Sequence, residues 1–246
     1  MTDFPASTDT IAAPLADEVA RLPGSAFAAL DWVGMQHIEM PIRLALHGET
    51  LLIPARVGAF VDLRDQDARG IHMSRLYRLC DEHLTGAPLD AMVIERLLAA
   101  FLASHVGLSQ RARLQLRLEL PLRRPALLSG LSGWRQYPVT LDATLGPDGL
   151  RCSFGVEVLY SSTCPGSAAM ARQVVRQRFL ETFAKGAVDA QAVADWLASP
   201  QGGAATPHAQ RSQASIRVLP VAGLQGALPL EELIDHIEGA LATPVQ

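Results

Sequence analysis

Between Leu114 and Leu120 the chain reads Leu-Gln-Leu-Arg-Leu-Glu-Leu. Four leucines at every second position, separated by Gln115, Arg117 and Glu119, place all the apolar side chains on one face of an extended strand. A helix cannot absorb this pattern, because it would spread the leucines around its whole circumference. The chain must therefore build a sheet with one solvated face, and other elements must cover the second face.

The flanking segments supply both sheet and cover. Ile38–Leu44 alternates apolar and polar residues, His47-Gly48-Glu49 turns, and Leu51–Leu63 alternates again, which predicts a β-hairpin. Ser74–Leu84 puts Leu76, Leu79, Cys80 and His83 at helical spacing, with Gly86 as a stop. Leu89–His105 predicts a second, more buried helix with Met92, Val93, Leu97, Ala100, Phe101 and Ser104 along one stripe, closed by Gly107. After the leucine strand, a loop with Pro125, Gly130 and Gly133 leads to a strand at Tyr137–Leu145. Gly146-Pro147-Asp148-Gly149 turns it into a partner at Leu150–Tyr160. Helices at 167–183 and 188–197, a loop over 200–207, a strand at 214–220 and a helix at 230–241 complete the order. Hairpins enclosing helix pairs occur once and begin again, so the reading is two similar α+β modules sharing one sheet system. Residues 1–30 form a Thr-, Ala- and Pro-rich arm, 31–133 the first module and 134–246 the second, which looks unfinished at its C-terminus.

Composition narrows the function classes. With 21 basic and 25 acidic residues the net charge is −4, so no strong field attracts nucleic acid or an anionic membrane. No run approaches the ~20 apolar residues of a membrane span, and the N-terminus lacks the basic and apolar regions of a secretory signal. Three cysteines do not make a disulfide framework. A soluble cytoplasmic protein in a reducing compartment is expected.

Four segments carry polar groups that the fold does not require. Gly70-Ile71-His72-Met73-Ser74-Arg75 lies between strand and helix, where Ser74, Arg75 and free backbone N–H groups suit an anion; from spacing alone, a Ser cap with a surface Arg is the commoner reading. Tyr160–Ser167 holds Cys164 at a strand-to-helix junction, where a helix N-terminus favours the thiolate; Cys80 and Cys152 read as core residues. Thr206–Ser212 holds His208, too far along the chain for a local zinc-finger pair with Cys164. Both residues flank the same helical insertion at strand ends, so they can meet as Zn²⁺ donors, in which case a catalytic site needs a third ligand and an open position. A plain surface or buried histidine is the competing reading. Arg123, Arg124 and Arg135 near Trp134 suit phosphates, a subunit contact or a solvated loop.

These segments, as GIHMSRL (70–76), RPALLS (124–129), YSSTCP (160–165), AAMARQ (168–173), PHAQRS (207–212), Leu233–Glu238 and TPVQ (243–246), closely resemble the type IB GTP cyclohydrolase family. Trp32–Met35 and Pro54–Val57 fit as well, and the likeness runs from about residue 30 to the end. The resemblance implies a bimodular tunnelling fold of two ββααββ-like units, antiparallel sheets with helices on one face. It further implies a homotetramer with active sites at subunit interfaces. The implied reaction opens the imidazole ring of GTP by hydrolysis, releases formate and yields 7,8-dihydroneopterin triphosphate. By resemblance Cys164 is the essential thiolate and a metal ligand, His208 a second ligand, and the ion Zn²⁺ or Mn²⁺. His72, Ser74, Arg75, Arg211 and Ser212 are implied substrate contacts, including contacts to the triphosphate.

Two departures stand out. The family usually has a second cysteine where this chain has Gly166, which is expected to alter redox sensitivity more than turnover. Family members also run several tens of residues past TPVQ, through two further metal ligands and the glutamate that recognises guanine. A chain of this length alone is expected to bind metal weakly and turn over GTP poorly. The competing functions are a tunnelling-fold enzyme using Cys164 as a covalent nucleophile, and a purine- or pterin-binding paralogue without chemistry.

Overall fold

The computed structural model describes residues 29–242 except 47, 66, 67, 69, 127, 128, 185–187, 204 and 222. The expected arm up to residue 28, His47 of the first turn, Leu127 and Leu128, and Thr243–Gln246 lie outside the described residues. The chain is α+β, with six strands in the order β1-β2-β3-β4-β5-β6 in one antiparallel sheet and five helices.

The first hairpin joins β1 (Leu30–Leu46) to β2 (Glu49–Leu63), and Gly48 takes the positive φ of 79° that the tight turn needs. Two helices follow, α1 (Met73–Gly86) and α2 (Ala91–Ser104). Asp90 starts α2 by accepting a hydrogen bond from the Val93 N–H at 2.7 Å. The alternating leucines lie in β3 (Ala112–Pro125), followed by β4 (Ser132–Gly146) and β5 (Gly149–Thr163). Next come α3 (Pro165–Thr182), α4 (Ala190–Ala198), β6 (Ala209–Val218) and α5 (Leu230–Leu241).

Several boundaries, one helix stripe and one cysteine differ from expectation. Gly133 lies inside β4 rather than in a loop, because an exposed glycine can continue a strand that pairing already supports. β6 begins five positions earlier than Ala214. Its first residues, Ala209 to Gln213, have no apolar alternation, and they are extended through the backbone ladder with β5, from Thr163↔Ala209 to Phe154↔Val218. On α2 the buried side is Ala91, Val93, Ile94, Leu97, Leu98 and Phe101, while Met92 is exposed. Two adjacent apolar pairs there widen the stripe beyond a simple i, i+4 seam. Cys152 is half-buried in β5, not in the core.

The chain resolves into two compact units. One takes in residues up to Leu52, Arg56–Gln115 and Asp142–Arg151. In it α1 packs on β1 and α2, burying Leu76, Cys80 and Leu84 together with Ile42, Val57, Val61, Ile94, Leu97 and Phe101. Burial pushes the Cys80 thiol up to about 12, so it behaves as a small apolar residue. The other unit takes in Ile53–Ala55, Leu116–Leu141 and Cys152 onward. Its core joins Leu116, Leu120, Tyr137, Val139, Val156 and Val158 of the strands to Leu230, Ile234 and Ile237 of α5. No described helix is long and apolar enough to cross a membrane.

Candidate functional site

Cys164 is the residue at which β5 becomes α3. It is the N-cap of α3, its side chain makes no cap hydrogen bond, and Pro165 opens the helix. Proline suits this position, where the missing N–H has no intrahelical partner anyway. The antiparallel ladder continues one step past Thr163↔Ala209, and there the Cys164 N–H donates to the His208 carbonyl at 3.4 Å. The His208 N–H in turn donates to Ser167 Oγ at 3.0 Å. Cys164 and His208, distant in sequence, are therefore neighbours across the end of a hairpin-like pair of strands. Cys164 is half-buried and His208 exposed. A Cβ added at Gly166 would meet only Cys164 Sγ, at 4.0 Å, so a small side chain has room there.

Arg211 and Ser212 follow His208 on β6, opposite Ser161 and Tyr160. Successive strand residues point to opposite faces, so these two candidates do not converge. Ser212 Oγ meets Ser162 Oγ at 2.7 Å. Arg211 instead lines a cavity of about 430 Å³ with Arg135, Tyr137, Glu119, Glu157 and Gln213. Gln213 donates to Glu157 Oε2 at 2.7 Å across the strands. Behind Arg135 stands Glu238 of α5, which accepts from Tyr137 Oη at 2.6 Å and from Arg135 Nη1 at 3.0 Å. Arg124 joins this group through Tyr137 Oη at 3.2 Å and Asp235 at 2.7 Å. Burial raises the Tyr137 pKa, and the neighbouring Glu238 raises it further, so the phenol stays protonated. The segment that suited phosphates, a subunit contact or a solvated loop thus spends Arg124 and Arg135 on docking α5.

His72, Ser74 and Arg75 lie together at the start of α1 in the other unit. His72 is the N-cap and contributes no side-chain cap bond, while the Arg75 N–H donates to its carbonyl at 3.1 Å. Arg75 Nη1 donates to the Ser104 carbonyl at 2.7 Å, fastening α1 to the end of α2. Beside Arg75 is an open depression of about 420 Å³ lined by Arg78, Asp81, Glu82 and Ser104. Ser74 is exposed and does not cap the helix as the competing reading required.

A protein-family model described as type I GTP cyclohydrolase folE2 matches residues 17–246. The chain belongs to this family. Among curated relatives it is 46% identical to the GTP cyclohydrolase FolE2 of Pseudomonas savastanoi pv. phaseolicola, over 95% of this chain and 78% of that protein. It is 43% identical to the GTP cyclohydrolase FolE2 of Hydrogenovibrio crunogenus, over 88% of this chain and 69% of the relative. The protein of the same name in Pseudoalteromonas translucida is 41% identical over 91% and 74%.

The resemblance implies a divalent ion, and two of the donors present are of a kind that suits one. A cysteine sulfur and an imidazole at the adjoining ends of β5 and β6 are donors that suit Zn²⁺ or another borderline divalent ion. They fit as a pair. No group of three His, Cys, Asp or Glu side chains is gathered among the described residues. Glu157 and Gln213 were missed by motif reading, and Glu238 entered only as the last residue of the Leu233–Glu238 word. Glu157 and Gln213 could have been found as polar positions on one face of two paired strands, whereas Glu238 looks like any surface acid of a helix.

Proposed function

We propose that this chain is a cytoplasmic GTP cyclohydrolase that converts GTP and water to 7,8-dihydroneopterin triphosphate and formate, the first step of tetrahydrofolate biosynthesis. The observation that carries the reading is the juxtaposition of Cys164 and His208 at the ends of β5 and β6, in a chain of the folE2 family. Cys164 and His208 would hold a divalent ion, Zn²⁺ or Mn²⁺, which supplies Lewis acidity for hydrolysis at an amidine carbon when bound.

The chain's own residues do the rest. The β5–β6 ladder and the Ser167 contact fix the backbones of the two donors beside each other, so less order has to be imposed when the ion arrives. Arg211, open to its cavity, offers a guanidinium fork to the triphosphate. Ser212, tied to Ser162, serves the site by keeping β6 in register. His72, Ser74 and Arg75 contribute donors and positive charge at a helix start, a combination that suits phosphate oxygens. The modules at 31–133 and 134–246, and assembly as a homotetramer with interfacial active sites, complete the proposal.

The test is GTP conversion to a fluorescent neopterin by the purified chain, with added Zn²⁺ or Mn²⁺, with chelator, and with Cys164→Ala. Metal-dependent turnover that disappears in Cys164→Ala is the expected result. Turnover that survives chelation yet needs Cys164 would replace the metal reading with a covalent nucleophile. Full activity in Cys164→Ala would remove Cys164 from the site.

A further inference from the structure

The backbones of Cys164 and His208 already meet across the ends of β5 and β6, so a turn of roughly two to five residues would join the strands. The chain places residues 165–207 there instead, with α3 and α4 among them. Closing the strand pair does not require these helices. They add little to the core either, because α3 buries Ala171 alone and α4 buries Trp196 alone. What they build is a groove of about 550 Å³. One side of it is a single stripe of α3, made of Ala168, Ala171, Arg172, Val175, Arg176 and Phe179 at i, i+3, i+4 spacing.

Residue size explains the space. Ala168, Ala171 and Val175 on α3 and Val193 on α4 are small, so side chains that would fill a packed helix pair are missing. Three aromatic rings hold the two helices together. Phe179 and Trp196 meet edge-on with centroids 5.7 Å apart, and Phe183 packs on them at 4.9 and 5.9 Å. Phe179 and Trp196 therefore offer the groove a preformed aromatic wall. Charge explains the sign of what can enter. Arg172 and Arg176 interrupt the apolar stripe one turn apart, both exposed, and no Asp or Glu lines the groove. Neither guanidinium forms an ion pair with another described residue.

We propose that the α3–α4 groove is a binding site for an amphipathic organic anion: a flat apolar ring system lies against the aromatic and small aliphatic side chains, and its acidic head is held by Arg172 and Arg176. A neutral apolar ligand would leave both guanidinium groups unused, and a strongly hydrated anion such as inorganic phosphate would leave the apolar wall unused. The volume falls within the roughly 300–1,000 Å³ of small-molecule sites. The lining starts at Ala168, in the first turn after Cys164, and ends at Pro207, next to His208. No step of the proposed hydrolysis uses the groove, so the site stands whether or not this chain turns over GTP.

The probe is anilinonaphthalene sulfonate, an aromatic sulfonate that fluoresces in apolar surroundings, titrated into the folded full chain. Saturable binding of one probe per chain is the expected result. Replacing both arginines, Arg172→Gln with Arg176→Gln, should weaken binding by roughly tenfold or more. Leu197→Glu, at an exposed position of the α4 wall, should also weaken it by setting a like charge beside the head. Arg178→Gln, on α3 but outside the groove, is the control that should change nothing. All four positions are exposed, so the variants should keep the parent's circular dichroism and Tm. Naphthoate should displace the probe, and the uncharged naphthalenemethanol should need a concentration roughly tenfold higher. Equal losses in Arg178→Gln and in the groove variants, equal displacement by the acid and the alcohol, or no saturable binding would each overturn the proposal. Probe driven off as the chain is concentrated, with the mass rising in step, would make the groove a contact between copies and overturn it as well.

Discussion

Asp62 illustrates how much one buried carboxylate can organise. Its Oδ1 accepts from the Gln110 and Arg111 N–H groups at 2.7 and 2.8 Å. Its Oδ2 accepts from Arg64 Nε at 2.7 Å and Arg111 Nε at 3.4 Å. Arg111 continues to Asp31 at 2.8 Å and lies over the Trp32 ring, so β1, β2 and the entry to β3 meet at one side chain. Burial alone would raise the Asp62 pKa, but the hydrogen bonds from Arg64, Arg111 and Gln110 outweigh it and hold it below its ordinary 3.8. The sign follows. The unfolded chain binds this proton first as pH falls, so the stabilisation is complete above about 3.8 and is lost as pH drops through the lower, folded value. Asp62→Asn turns an NH₂ group toward two guanidinium groups or two backbone donors, and should cost about 2–4 kcal/mol at pH 7. Urea unfolding of both chains between pH 2 and 7 checks this. The parent should lose stability below pH 4, and the variant should show a shallower loss there. Parallel profiles would show that Asp62 is not the titrating anchor. Nothing in the sequence around Asp62 marks it, because its partners lie across turns and strands that local periodicity does not join.

At the scale of elements, the site depends on the register between β5 and β6. In the strand order given, β6 neighbours β5 alone, so whatever displaces that pairing moves His208 relative to Cys164. Gly155, opposite Arg217, is the position where this is most exposed to test. A Cβ there would sit 2.9 Å from the Ile216 carbonyl oxygen and 3.1 Å from Thr140 Oγ1. Gly155→Val must push backbone away, at a cost of about 1–3 kcal/mol for overpacking. We expect it to weaken metal retention after dialysis and to lower GTP turnover, although it lies in mid-strand, well back from Cys164. Gly133→Ala, with nothing within 4 Å of the added carbon, is the control that should change neither. Normal metal content in Gly155→Val would separate the register from the site.

The same pair of strands shows what was legible beforehand. That Cys164 and His208 flank one helical insertion followed from the motifs and the order of elements. The cross-strand step that joins them did not, because the first residues of β6 are polar on both faces. Strands announced by alternation, such as β3, were placed correctly, as were helices with clean apolar stripes. Glu238 could not be read, since it gains its meaning from partners remote in sequence, whereas the Glu157–Gln213 pair was within reach of the polar positions on two paired strands.

For the whole molecule, the issue is which donors join Cys164 and His208 around an ion. In the six-strand order, β1 and β6 are the end strands. Unpaired strand edges are templates for another strand, and the β6 edge carries His208, Arg211 and Gln213 at or beside it. A Cys–His pair leaves a four-coordinate ion needing further donors from water, substrate or another subunit. If the proposed homotetramer with interfacial active sites forms, assembly, metal content and activity must rise and fall together. Light scattering should then give a mass near four times the 26.4 kDa of one chain. Dilution far enough to dissociate it should release metal and reduce specific activity in parallel, with both restored on reconcentration. Coupling of this kind would assign the missing donors to contacts between copies. A monomer that keeps its metal and its full specific activity at every concentration would place the whole site within one chain, and the β6 edge would then need another explanation for the polar side chains it presents.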